Sequence, residues 1–154
     1  MKKARVFAVI LCLVMLLSCL TACSTDKKAL TAEGFTKIME ENGFEVNDVS
    51  AVTDASQKYS IIAVCDDFQV EYYEFIDEDT CKDTFDSLKK DLKEENPVQK
   101  NCIETNAKNH SYIAFESGGE FFVVSRIGST LVYCGDDDKY QADILEIIKT
   151  LGYR

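Results

Sequence analysis

Three observations predict an α+β fold: an antiparallel sheet of about six to seven strands, with helices packed on one face. Three segments repeat apolar residues at helical spacing. Seven runs are rich in aromatic and β-branched residues. The connections between neighbouring runs are short and carry turn chemistry, so the strands read as antiparallel meanders. The order is helix, three strands, helix, four strands, helix, in a single domain over residues 30–154. Runs of strands broken by helices fit α+β and not a parallel βαβ sheet. The two helix-plus-meander halves suggest a degenerate tandem repeat, although no residue-level match joins them.

Leu30 to Phe44 reads as the first helix. Thr31 is its N-cap and Glu33 sits in the first turn. Leu30 and Phe35 stand at the two positions of a hydrophobic staple. Phe35, Ile38 and Met39 make the apolar face, and Asn42-Gly43 ends the helix with a left-handed glycine. Val49 to Thr53 is the first strand. Tyr59 to Cys65 and Phe68 to Phe75 form a hairpin through Asp66-Asp67, since Asp tolerates the positive φ of tight turns.

Asp77 to Glu95 is the second helix. Cys81, Phe85, Leu88 and Leu92 recur at spacings of four, three and four, which places them on one buried stripe. The helix's lysines lie mostly off that stripe, and Pro97 prevents continuation. Four strands follow: Val98 to Thr105, Ser111 to Glu116, Glu120 to Ile127 and Thr130 to Cys134. Their connections are Asn106 to His110, Ser117-Gly118-Gly119 and Gly128-Ser129. Asp138 to Leu151 is the last helix. Ile144, Leu145, Ile147, Ile148 and Leu151 form its apolar face and Gly152 closes it.

Ahead of the domain, Met1 to Arg5 is basic, and Val6 to Leu20 is an apolar run of fifteen residues, short for a membrane-spanning helix of about 20 residues. Leu20, Thr21, Ala22 and Cys23 then follow the lipoprotein signal pattern of an aliphatic residue, a small or β-branched one, a small one and Cys. The small residues let a peptidase reach the backbone, and the thiol accepts diacylglycerol as a thioether. Residues 1–22 therefore read as a lipoprotein signal peptide, and 23–29 as a lipidated Cys23 with a short linker. Cys19 as acceptor fits less well, because Leu17 is poor at the second place. An uncleaved anchor would give much the same topology.

Removing 22 of the 154 residues leaves 132, with eight Phe and seven Tyr for a core. A domain of that size buries roughly two-thirds of its unfolded surface and needs no metal or disulfide to fold. Loss of Lys2, Lys3 and Arg5 takes the formal net charge from −10 to −13. Such an acidic domain repels nucleic acid and anionic headgroups, which argues against nucleic-acid binding.

With Cys23 in place, the chain resembles the small, uncharacterised lipoproteins common in clostridial-type Gram-positive bacteria. The lipobox carries most of the resemblance. Tyr72-Tyr73-Glu74-Phe75, followed by Asp77-Glu78-Asp79 and the Cys81/Phe85/Leu88 helix, is similar in style, as is the ending Ile147-Ile148-Lys149-Thr150-Leu151-Gly152-Tyr153. The resemblance implies lipidation at Cys23 and anchoring on the extracytoplasmic face of the cell membrane. It carries over no catalytic residues.

Candidate chemistry is sparse. Asp77-Glu78-Asp79 with Asp83, and Asp136-Asp137-Asp138 with Asp143, have carboxylates enough for Ca²⁺ but no EF-hand spacing. Both precede helices, where carboxylates cap free N–H groups and meet the positive end of the helix dipole. Outside the leader and Cys23, the thiols Cys65, Cys81, Cys102 and Cys134 permit up to two disulfides in three connectivities. The other reading is four small buried hydrophobes. No C-x-x-C supports a zinc or redox site. His110, the single histidine, falls in a turn and reads as a solvated residue, and no G-x-S-x-G accompanies it. No motif asks for a cofactor.

The aromatic strands give the best lead. Tyr72, Tyr73, Phe75, Tyr112, Phe115, Phe121, Phe122 and Tyr133 concentrate there. Neighbours such as Tyr72-Tyr73 and Phe121-Phe122 must point to opposite faces, so one member of each pair lies off the main core. The expected function is a membrane-anchored binding or accessory module that uses a sheet face to hold a protein or small-molecule partner. A cell-envelope hydrolase and a structural subunit of an envelope complex are the alternatives.

Overall fold

In the computed structural model, residues 27–52 and 55–154 are described. Among the described residues, three α-helices and a seven-stranded antiparallel sheet follow one another as the sequence predicts: α1 (Ala32–Glu41), β1 (Glu45–Asp48), β2 (Gln57–Val64), β3 (Gln69–Phe75), α2 (Glu78–Glu95), β4 (Lys100–Asn106), β5 (His110–Ser117), β6 (Glu120–Ile127), β7 (Thr130–Asp137) and α3 (Gln141–Thr150). The strand order is β1-β2-β3-β7-β6-β5-β4. The chain runs a three-stranded meander, crosses by α2 to the far edge, and returns as a four-stranded meander that ends beside β3.

The helix ends are written in the local sequence. Gly34 N–H donates to Thr31 Oγ1 at 3.1 Å, so Thr31 caps α1. At the other end Gly43 has φ of +86°, Gly43 N–H donates to Glu40 O and Phe44 N–H donates to Met39 O. Those two bonds close a Schellman motif, which satisfies carbonyls the helix leaves open. The same pair recurs at the end of α3, where Gly152 N–H reaches Lys149 O and Tyr153 N–H reaches Ile148 O. Asp77 caps α2 by accepting from Thr80 N–H at 2.7 Å. Its stripe is as expected, with Cys81, Phe85 and Leu92 buried and Leu88 packed beside them.

Three expectations change. The first strand lies earlier, at Glu45–Asp48, and Ser50–Val52 is a turn of 3₁₀ helix. Asp48 Oδ1 accepts from Ser50 N–H at 2.9 Å, which turns the chain out of the strand before Val49. The fourth strand starts at Lys100 and not at Val98, and its first residues are irregular: the β4–β5 register shifts between Lys100 and Ile103, and Asn101 takes a left-handed φ of 51°.

The third change concerns the helices, which cover both faces of the sheet. Phe35 and Met39 of α1 and Ile144, Ile147 and Ile148 of α3 share one core with Val70, Tyr72, Val123 and Val132. Cys81, Phe85 and Leu92 of α2 pack on the opposite face against Phe75, Ile113, Phe122 and Val124. The central strands explain why: every residue from Phe121 to Ile127 is buried, and an unbroken apolar run needs cover on both sides. This arrangement also removes the tandem-repeat reading. A twofold relating the antiparallel neighbours β3 and β7 would keep both halves' helices on one face, and α1 and α2 lie on opposite ones.

Candidate functional site

The two faces differ in closure. Over β1, β2 and β3, α1 seals one side: Tyr72 stacks on Phe35 with ring centroids 4.9 Å apart and donates its O–H to Leu30 O at 2.9 Å. On the other side α2 packs on β6, β7 and the Phe75 end of β3, and leaves a gap toward β2. The gap is a cleft of about 600 Å³ between α2 and the strands β2, β3 and β7.

Its floor comes from alternate residues of three strands. Glu71, Tyr73 and Phe75 of β3 point to this face, and Glu71 sits directly opposite Tyr133 of β7. Simple alternation along β2 would aim Gln57 at the α1 face, with Tyr59 and Ile61. A register shift between Gln57 and Tyr59 instead sets Gln57 opposite Phe75, on the cleft side. A bulge adds one residue to a strand and so reverses which face the next side chain takes. Gln57 Oε1 is buried there and accepts no hydrogen bond from any described residue.

Tyr133 depends on a glycine. A Cβ at Gly135 would stand 2.4 Å from Tyr133 Oη and 3.0 Å from Phe122 Cδ1. The missing side chain is thus the space into which the Tyr133 ring leans. Burial, then the Glu71 carboxylate, pushes the Tyr133 phenol up to about 12. Tyr73 donates to Glu71 Oε2, and Gln69 Nε2 donates to Glu71 Oε1 at 3.0 Å. Burial, followed by this bond, raises the Tyr73 phenol, so the hydroxyl stays protonated and keeps the carboxylate in place.

The roof is the flank of α2 that carries Thr84, Leu88, Asp91 and Glu95. The helix sorts its charges by flank. Lys82 and Lys89 pair with Asp86, Lys90 pairs with Glu94, and Lys89 and Lys93 both reach Glu104 of β4. Asp91 and Glu95, at the cleft rim, form no ion pair with any described residue, and no Lys or Arg lines the cleft. The result is an aromatic-walled depression whose charged groups are all carboxylates.

The residues singled out from sequence fall elsewhere or apart. Leu20, Thr21, Ala22 and Cys23 lie outside the described residues. Cys65, Cys81, Cys102 and Cys134 are all free. Cys81 and Cys134 are buried on opposite faces of the sheet, so those two cannot meet. Burial pushes both thiols up to about 12, which leaves them protonated and unreactive. Cys102 is exposed on the edge strand β4, and Cys65 donates to Phe68 O in the β2–β3 turn.

His110 is not a solvated turn residue. It opens β5, half-buried, and burial followed by the Lys27 charge lowers its pKa. Its place is away from the cleft, near Arg126 and the Tyr153 backbone. The acidic clusters serve as caps: Asp77 holds Thr80 N–H, and Asp137 holds Lys139 N–H at 3.0 Å. Among the described residues no three His, Cys, Asp or Glu side chains converge as metal ligands.

Of the aromatic pairs expected to place one member off the main core, Tyr73 lines the cleft, beside Tyr133, while Phe122 packs under α2. Sequence reasoning missed Gln57 and Gly135. A polar residue at a strand end carries no sign of a bulge, and Gly135 lay beyond the expected end of its strand. Among the described residues no helix is long and apolar enough to cross a membrane. No protein-family model, curated protein or solved structure matches the chain.

Proposed function

We propose that the chain is an extracytoplasmic binding module, held at the membrane through a lipidated Cys23, that takes a small-molecule ligand in the cleft beneath α2. The cleft carries the reading. Its volume of about 600 Å³ lies in the range of small-ligand sites. Its walls join apolar and aromatic surface to a few convergent polar groups, the composition such sites share. The lipobox and the polar linker support the anchor. The histidine and the four described thiols lie outside the cleft lining, which favours binding over acyl-transfer chemistry.

Two measurements test the reading. In a lipoprotein-processing bacterium the wild-type chain should take up labelled palmitate and Cys23→Ala should not; equal labelling of the two would overturn the anchor. In a thermal-shift screen with a mixed small-molecule panel, ligands that stabilise the wild type should lose that effect in Leu88→Trp, which fills the cleft. Ligands that stabilise both chains equally would place binding elsewhere.

A further inference from the structure

We infer that the ligand of this cleft is a small organic cation, a primary or secondary ammonium carried on an apolar body. The inference rests on the proposed binding role and names its chemistry. Four features of one surface converge on it.

The first is charge. Glu71, Asp91 and Glu95 face the cleft, no cationic side chain lines it, and the lysines of α2 are engaged with other carboxylates. The second is an orphaned acceptor. Gln57 Oε1 is shielded from solvent with no donor among the described residues. A buried acceptor left unpaired costs about 1–3 kcal/mol, and because Gln57 lines the cleft, a ligand N–H that draws its amide outward would relieve that cost. An ammonium with N–H groups meets both needs, whereas an anion meets neither and a neutral amine oxide or ester lacks the donor. The third is pre-organisation. Tyr73 O–H and Gln69 Nε2 already hold the Glu71 carboxylate, so little side-chain freedom is lost when a cation arrives. The fourth is the wall. Tyr73 and Tyr133 present ring surface beside the carboxylates, and aromatic faces attract cations through their quadrupole. A bare metal ion is disfavoured, because it requires three or more convergent ligands and gains nothing from the apolar wall.

The test uses the full chain in detergent micelles and three probes with one body: phenethylamine, phenethyl alcohol and phenylacetate, titrated by calorimetry. The expected result is binding of the amine alone. Asp91→Asn and Glu71→Gln should each weaken it about three- to tenfold, and Gln57→Leu by a similar factor. Addition of about 0.5 M salt should weaken the amine as well, because the rim carboxylates are exposed. Leu88→Trp should abolish binding.

If the alcohol binds as tightly as the amine and Leu88→Trp removes both, the cleft remains a binding site and the cation assignment is wrong. If the amine binds equally to wild type and Leu88→Trp, the cleft is not its site and both readings fall. If no probe binds but a lysine-rich peptide does, the ligand is a protein segment and the small-molecule assignment fails. Circular dichroism of each variant separates loss of a contact from loss of the fold.

Discussion

Tyr72 and Tyr73 are neighbours in sequence and serve opposite surfaces. Tyr72 is fully buried, stacked on Phe35 and bonded to Leu30 O, a lock between α1 and the sheet. Tyr73 stands one residue on, half-buried in the wall of the cleft, with its hydroxyl on Glu71. The same side chain seals one face and furnishes the other. The difference comes from what lies above each face. Over the first three strands, α1 fits down onto one side, while on the other α2 reaches only β3, at Phe75, and leaves a gap toward β2. Stability and recognition should therefore be separable by mutation.

The largest separation is expected at Phe35. Its side chain is fully buried beneath α1 and meets Tyr72. Phe35→Ala removes that burial and leaves a cavity, at a cost of about 3–5 kcal/mol in unfolding free energy, read from urea denaturation. The cleft lies across the sheet, so the fraction that remains folded should bind an amine as the wild type does. Altered affinity in that folded fraction would mean that the two faces are coupled.

Gly135→Ala works in the reverse direction. The added methyl meets Tyr133 Oη and Phe122 Cδ1, so the ring must swing toward the cleft. Overpacking of this kind costs about 1–3 kcal/mol. Amine affinity should fall with it, although Gly135 itself does not line the cleft. Unchanged affinity would show that the lean of Tyr133 does not shape the site.

Much of this architecture was legible in the sequence, and the gaps have physical causes. Asn42-Gly43 and Gly152 announced the helix ends because only a left-handed residue completes those hydrogen bonds. The Cys81-Phe85-Leu88-Leu92 stripe announced the buried side of α2. The placement of helices on both faces was also written, in the unbroken run Phe121-Phe122-Val123-Val124; read as paired aromatics, the run suggested one open face. The cleft was harder. It depends on a bulge that turns Gln57 over and on a glycine that matters for its missing side chain, and neither leaves a pattern in composition or period. Arg126 shows the same limit. It is 1 % exposed, donating to Gly128 O, Lys108 O and Glu78, partners brought together only by the fold.

A smaller effect is expected at the cap of α1. Thr31→Ala removes the acceptor for Gly34 N–H and should cost about 1 kcal/mol. The loss belongs to the sealed face alone. Hydrogen exchange should quicken in the first turn of α1, with amides of α2 and β4 unchanged. Faster exchange in α2 would tie the two helices into one cooperative unit.

The smallest effect distinguishes the faces by what holds their helices. Apolar burial holds α1 and α3; α2 adds a charged clasp, in which Lys93 and Lys89 reach Glu104 on the edge strand at 2.7 and 2.9 Å. Hydrogen bonds from Lys93 and then Lys89 lower the Glu104 pKa below its ordinary value of 4.5. A carboxylate with a depressed folded pKa contributes stability that is fully present above the unfolded value. That stability is lost as pH falls through the folded one. The clasp is largely exposed, so solvent screening holds its contribution below about 1 kcal/mol. Acidification through and below pH 4.5 should therefore loosen β4 against α2 before it disturbs α1, with exchange of the β4 amides rising first. Glu104→Gln should show that faster exchange already at neutral pH and little further change on acidification. If the wild type and Glu104→Gln respond to acid alike at β4, the clasp contributes nothing, and apolar contacts alone hold both faces.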